Sequence, residues 1–147
     1  MANPVWEVLL TTNELGPDEQ GSDSSGAIVE FWGVVRRLEQ TREIEGIEYE
    51  ANVPMAEHQL QRIAKQATDK FELQSVIIHH RLGFVAVKEA SVFVRVGSQN
   101  RGPAFEASRW IMDELKRKVP IWKRPRFRPA EAILEAGRLE HGIASRQ

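Results

Sequence analysis

The chain of 147 residues contains no cysteine. Disulfides, thiolate metal sites and a cysteine nucleophile are therefore excluded within it, and any sulfur chemistry needs sulfur carried in by another molecule. It also lacks an apolar run near the ~18–20 residues that a membrane helix requires. The opening MANPVWEVLLTTNELG has no basic stretch followed by an apolar one. No secretory signal is expected from it, and a cytoplasmic location is. The four histidines show no metal-ligand spacing: His79 and His80 face opposite ways on an expected strand, and His58 and His141 are remote. Neither a metal nor a cofactor is expected. Length and an ordinary composition, 41% hydrophobic and 28% charged, point to one domain over residues 1–147.

What the chain does have is a local excess of positive charge. Its formal net charge is −1, yet from Lys116 to Arg128 there are seven Lys or Arg and no acid. Such concentration in a near-neutral protein implies an anionic substrate or partner. Lys116 and Lys123 lie seven residues apart with Pro120 and Trp122 between them, a stiff connection that restricts their geometry. Amines crowded by other cations are candidates for the lowered pKa that a reactive amine needs. Taken singly, each is equally read as a solvated lysine, Lys116 helped by the negative end of its helix.

The pattern of elements predicts an α+β fold. Strands are expected at Val5–Thr12, Gly26–Arg36, Gly46–Ala51, Ser75–Leu82, Phe84–Val87, Ala90–Val96 and Ile121–Phe127. Gly33 suits a bulge and Gly83 a turn. Arg37–Glu45 reads as a charged turn, and Asn13–Ser25 as a loop whose glycines lack the context of a phosphate-binding motif. Pro54–Phe71 carries Leu60, Ile63, Ala64, Ala67 and Phe71 at helical spacing. A second helix opens at Pro103 with the stripe Phe105, Ser108, Ile111, Met112 and Leu115. Its polar face offers the pairs Arg109–Asp113 and Asp113–Arg117. Pro129–Arg138 reads as a short terminal helix. Antiparallel hairpins with two principal helices packed on the sheet follow from this order.

Three more residues are candidates. Arg101 sits at the start of the second helix, where free N–H groups favour a carboxylate or phosphate; the alternative is an exposed loop arginine. Asn100 beside it is a hydrogen-bonding partner or a turn residue, and the turn is the better reading. Arg36, at a strand end, faces a pocket or forms a rim salt bridge. Trp and Phe residues are assigned to the core, and the remaining carboxylates receive no catalytic role.

Phe31-Trp32-Gly33-Val34-Val35-Arg36, the HRLG of His80–Gly83, SQNRGPAFEA at Ser98–Ala107 and WIMDELKRKVPIWKR at Trp110–Arg124 resemble the large, catalytic subunit of molybdopterin synthase. The resemblance runs from about Gly26 to Arg124. It implies an α/β-hammerhead-like antiparallel sheet with two main helices and a small β subdomain. It also implies a homodimer carrying a small ubiquitin-like sulfur-carrier subunit at each end. The thiocarboxylate on that partner's C-terminal Gly-Gly delivers sulfur to cyclic pyranopterin monophosphate, and two transfers form the dithiolene of molybdopterin. By position, Lys116 and Lys123 match the essential lysines of the family, and Arg36 and Arg101 match its anion pocket. Asn100 stands where the family usually has histidine, and it cannot carry charge near neutral pH. The tail, about 125–147, departs from the family pattern. Two other functions fit the charge run alone: a partner-docking scaffold without catalysis, or an anion- or nucleic-acid-binding module. The pI of about 6.4 and the scarcity of interleaved aromatics weigh against nucleic acid.

Overall fold

Alternating and continuous apolar runs build two sheets, and the chain between them supplies two helices. The computed structural model describes residues 4–15 and 25–129. The centre of the expected Asn13–Ser25 loop and nearly all of the expected Pro129–Arg138 helix lie outside the described residues. The elements are β1 (Val5–Thr11), β2 (Ala27–Val34), β3 (Leu38–Glu39), β4 (Arg42–Ala51), α1 (Val53–Phe71), β5 (Ser75–Arg81), β6 (Gly83–Ala86), β7 (Ala90–Ser98), α2 (Arg101–Lys118) and β8 (Ile121–Phe127).

The larger sheet has the order β1-β5-β7-β2, with both helices packed on one face. Val8, Ile78 and Val94 lie in one register row, Trp6, Val76 and Val96 in the next, and these rows meet Leu60, Ile63, Ala107 and Ile111 of the helices. β1 pairs with β5 in parallel, so the sheet is mixed rather than wholly antiparallel as expected. The half-buried alternation of β1 is the same for either direction. The expected bulge is present, with the β2–β7 register shifting between Gly33 and Val34.

α1 begins where Asn52 accepts a hydrogen bond from the Met55 N–H at 3.3 Å, with Pro54 in the first turn. It ends at Glu72 in the left-handed region, φ 51°. α2 buries Ala104, Ala107, Ser108, Ile111 and Leu115. Phe105, expected in that stripe, is instead 61% exposed. The two alanines let the helix lie close to the sheet, which turns Phe105 outward. The expected pairs around Asp113 are also replaced. Glu114 is bridged by Lys118 at 2.8 Å and Arg117 at 3.0 Å, and the Lys118 hydrogen bond holds its carboxyl below the usual range.

The smaller sheet is centred on β4, which pairs with β6 on one side and β8 on the other. The expected charged turn Arg37–Glu45 is in fact a hairpin. β3 pairs with the start of β4, and Gln40 takes φ 59° at the tip. Val35, Ile44, Ile47 and Val85 form a second core under this sheet. Gly46 is fixed by close approach: a Cβ there would fall 2.4 Å from the Val85 carbonyl oxygen and 2.5 Å from Phe84 Cζ. Gly46→Ala is therefore expected to cost about 2–3 kcal/mol, read as a lower urea midpoint at unchanged slope.

Candidate functional site

β7 and α2 are joined by only Gln99 and Asn100, so the helix runs back antiparallel over the strand. At ~1.5 Å per helical residue and ~3.3 Å per strand residue the two elements have similar lengths, roughly 27 and 30 Å. The last turn of α2 thus returns to the level of the first residues of β7. Val92, Leu115 and Val119 share one core cluster there.

The other candidates arrive at the same end. Val35 exchanges backbone hydrogen bonds with the turn before β7, donating to Glu89 O at 3.0 Å and accepting from Lys88 N at 2.9 Å, and Arg36 follows it. Lys123 stands opposite Tyr49 in the β4–β8 ladder, on the face that also carries Ile47 and Val85. The Tyr49 phenol is hydrogen-bonded to Ser91, the second residue of β7. Burial raises the phenol above its ordinary pKa, the Ser91 hydrogen bond opposes this, and the Glu39 carboxylate adds to the rise. The residue before Arg36, the last turn of α2 that carries Lys116, and the Tyr49–Lys123 pair thus all lie toward the start of β7.

Arg101 and Asn100 do not join them. From Arg101 to Lys116 the helix axis advances roughly 22 Å, so these residues occupy opposite ends of α2. Asn100 occupies the N-cap position in extended backbone, but its side chain makes no capping bond. Its amide is left to other uses.

The positive run resolves into pairs. Arg117 and Lys118 meet Glu114, Arg126 meets Glu48 at 2.9 Å, Arg124 meets Glu50, and Arg128 lies 3.9 Å from Glu43. Lys123 Nζ lies 3.9 Å from Glu39. Among the described residues, Lys116 alone of the seven has no carboxylate within ion-pair distance. Arg36 and Arg101, both exposed, likewise have none among the described residues. Arg37, its neighbour, is held by Glu43 at 2.5 Å. The connection from α2 to β8 is ordered by backbone bonds, Val119 N–H to Leu115 O and Ile121 N–H to Val119 O, and Asn52 N–H reaches Pro120 O. Trp122, assigned to the core from sequence, is 62% exposed.

Glu39 and Tyr49 were not legible as site residues. Glu39 belongs to a two-residue strand inside what reads as a turn, and the contact of Tyr49 with Ser91 joins two sheets. His80 packs edge-on against Tyr49 with ring centroids 5.2 Å apart, and Nδ1 lies 2.8 Å from the Arg81 carbonyl oxygen. Burial lowers the His80 pKa from 6.5, partly offset by that backbone hydrogen bond. The unfolded chain then takes up the proton first on acidification. Stability contributed by neutral His80 is present above about pH 6.5 and is lost as pH falls from there toward the folded value. The melting temperature should fall between pH 7.5 and 5.5, and His80→Gln should flatten that slope.

A cleft of about 350 Å³ lies at this same end of β7, beside Trp32 and the β6–β7 turn. Arg81 and Lys88 line it together with Glu14 and Glu89, so its charges cancel, and none of the five predicted residues lines it.

The family model described as MoaE protein matches residues 10–118. The chain is similar to the molybdopterin synthase catalytic subunit of Pyrococcus abyssi, 40% identical over 117 residues covering 80% of this chain and 79% of that one. It is 37% identical to the human molybdopterin synthase catalytic subunit over 119 residues, covering 78% of this chain and 63% of the human one. The chain thus spans somewhat under two thirds of the length of that relative. Among solved structures, molybdopterin synthase from Staphylococcus aureus superposes with a TM-score of 0.77 at 28% identity, covering 82% of this chain and 91% of that one. A complex of subunits 1 and 2 of molybdopterin-converting factor from Helicobacter pylori shares the fold, with a TM-score of 0.60 at 21% identity over 73% of this chain and 74% of that one.

Proposed function

The chain belongs to the MoaE protein family, and from that membership we propose that it is the sulfur-transferring subunit of a molybdopterin synthase. Its partner is a small ubiquitin-like sulfur carrier, and its substrate is cyclic pyranopterin monophosphate. What supports this reading is that Lys116, the one base of the run without an acid partner among the described residues, lies in the last turn of α2, toward the start of β7, where the backbone also leads Arg36 and Lys123. Both the thiocarboxylate tail and the phosphorylated pterin are anions. Fixed cations stabilise the negative charge that develops as the acyl group and sulfur part, and they do so most strongly where water is excluded. Lys116 and Lys123 are the groups assigned to the reacting atoms, as acid, base or acyl acceptor. Arg36, Arg101 and the Asn100 amide are assigned to the phosphate-bearing pterin.

The length of α2 adds a condition. A single pterin does not span the roughly 22 Å from Arg101 to Lys116. If both serve one substrate, Arg101 comes from a second copy of the chain, which supports a homodimer. β2, an outer strand, exposes Ile28, Phe31 and Val34, apolar surface that a second chain would cover. No helix among the described residues is long and apolar enough to cross a membrane, and a cytoplasmic site of action accords with the reading.

The test incubates purified protein with the pterin and the thiocarboxylated partner and follows the dithiolene by mass spectrometry. Product supports the reading. Tight binding of the partner without product would instead make the chain a docking scaffold. Steeply salt-dependent binding to generic oligonucleotides would favour an anion-binding module, although the pairing of six of the seven bases in the run opposes it.

A further inference from the structure

Every other base on β8 pairs with a carboxylate of the neighbouring strand β4, but Lys123 does not. Its acid is Glu39, which is carried on β3 by the hairpin tip at Gln40. The hairpin brings Glu39 back over the inner face of the small sheet, where the Tyr49 phenol also feels its charge. The Glu39 side chain is 24% exposed and that of Lys123 59%. At 3.9 Å and this exposure the pair adds little to stability. Its consequence is where it holds the amine.

We propose that Glu39 is the positioning residue for Lys123, holding its ammonium group on the inner face of the small sheet beside Tyr49. This rests on the reading above, in which Lys123 serves the sulfur transfer. Glu39 touches neither substrate nor partner in this scheme; it acts through Lys123. The free side chain of a lysine samples many rotamers, and an anion anchored by a short hairpin selects those that point toward Tyr49 and the start of β7. Lys116, with no acid among the described residues, has no such anchor, so the two lysines are not equivalent.

The experiment is a double-mutant cycle in the complete complex, with kcat and KM measured for Glu39→Gln, Glu39→Asp, Lys123→Ala and the double variant Glu39→Gln/Lys123→Ala. Glu39→Gln is expected to lower kcat about tenfold while KM for partner and pterin stays within about twofold, and Glu39→Asp to recover most of the rate. On the Lys123→Ala background the Glu39→Gln change should alter kcat less than about twofold, because the pair acts as a unit. Wild-type rates for Glu39→Gln, or an equal loss with and without Lys123, would overturn the proposal. Unchanged melting temperatures separate positioning from misfolding. A Lys123→Ala enzyme as fast as wild type would overturn the assignment of Lys123 itself, and the positioning role with it.

Discussion

Lys116→Ala is expected to lower dithiolene formation by about 10³-fold, the middle of the range for removing a group that moves a proton or accepts an acyl group at the reacting atoms. The structure separates this effect from stability. Lys116 is exposed in the last turn of α2, and its favourable interaction with the helix end is shared with Arg117 and Lys118. Glu114, the acid of that turn, is already held by those two neighbours, so deleting Lys116 strands no charge. The loss of folding stability should stay within about 0.5 kcal/mol, as for other surface changes away from a cap or a buried network. Partner affinity should change only a few-fold. Single-turnover rates, a melting curve and a partner titration on one preparation check all three, and a rate within tenfold of wild type would remove Lys116 from the reaction.

The second large effect concerns pairs of chains. Arg101→Ala and Lys116→Ala homodimers should each be nearly inactive, yet a heterodimer with one chain of each kind should keep about half the wild-type rate. The reason is the length of α2. In the proposed homodimer each site takes Lys116 from one chain and Arg101 from the other, so one of the two sites in such a heterodimer retains both. Were the site complete within one chain, neither site of the heterodimer would be intact and activity would vanish. Isolating the heterodimer with two different affinity tags makes the outcomes distinct.

Much of this was legible in the sequence. Helical spacing located α1 and α2, and the strand-forming runs located seven of the eight strands. The residues that carry the site reading, from Arg36 to Lys123, could be named from motif and charge. What sequence did not give was which residues meet. Parallel pairing of β1 with β5 is invisible because alternation encodes a face and not a direction. β3 is two residues long within a run of charges, so neither periodicity nor propensity marks it, and Glu39 went unnoticed with it. Phe105 and Trp122 were taken for core because large apolar side chains usually are. In the structure, alanines take the place against the sheet in one case, and strand alternation turns the ring outward in the other. The run of seven bases looked like one anionic-ligand stripe. Two of its members pair with Glu114 of their own helix and four find acids on other strands, and among the described residues only folding singles out Lys116.

The most direct measurement supplies the wild-type protein with pterin and with its small partner in two forms, ending in a thiocarboxylate or in an ordinary carboxylate. The account predicts dithiolene only with the thiocarboxylate, and two partner tails converted for each pterin, since a chain without cysteine has no sulfur nucleophile of its own. Formation of the partner complex without any sulfur reaching the pterin would contradict it.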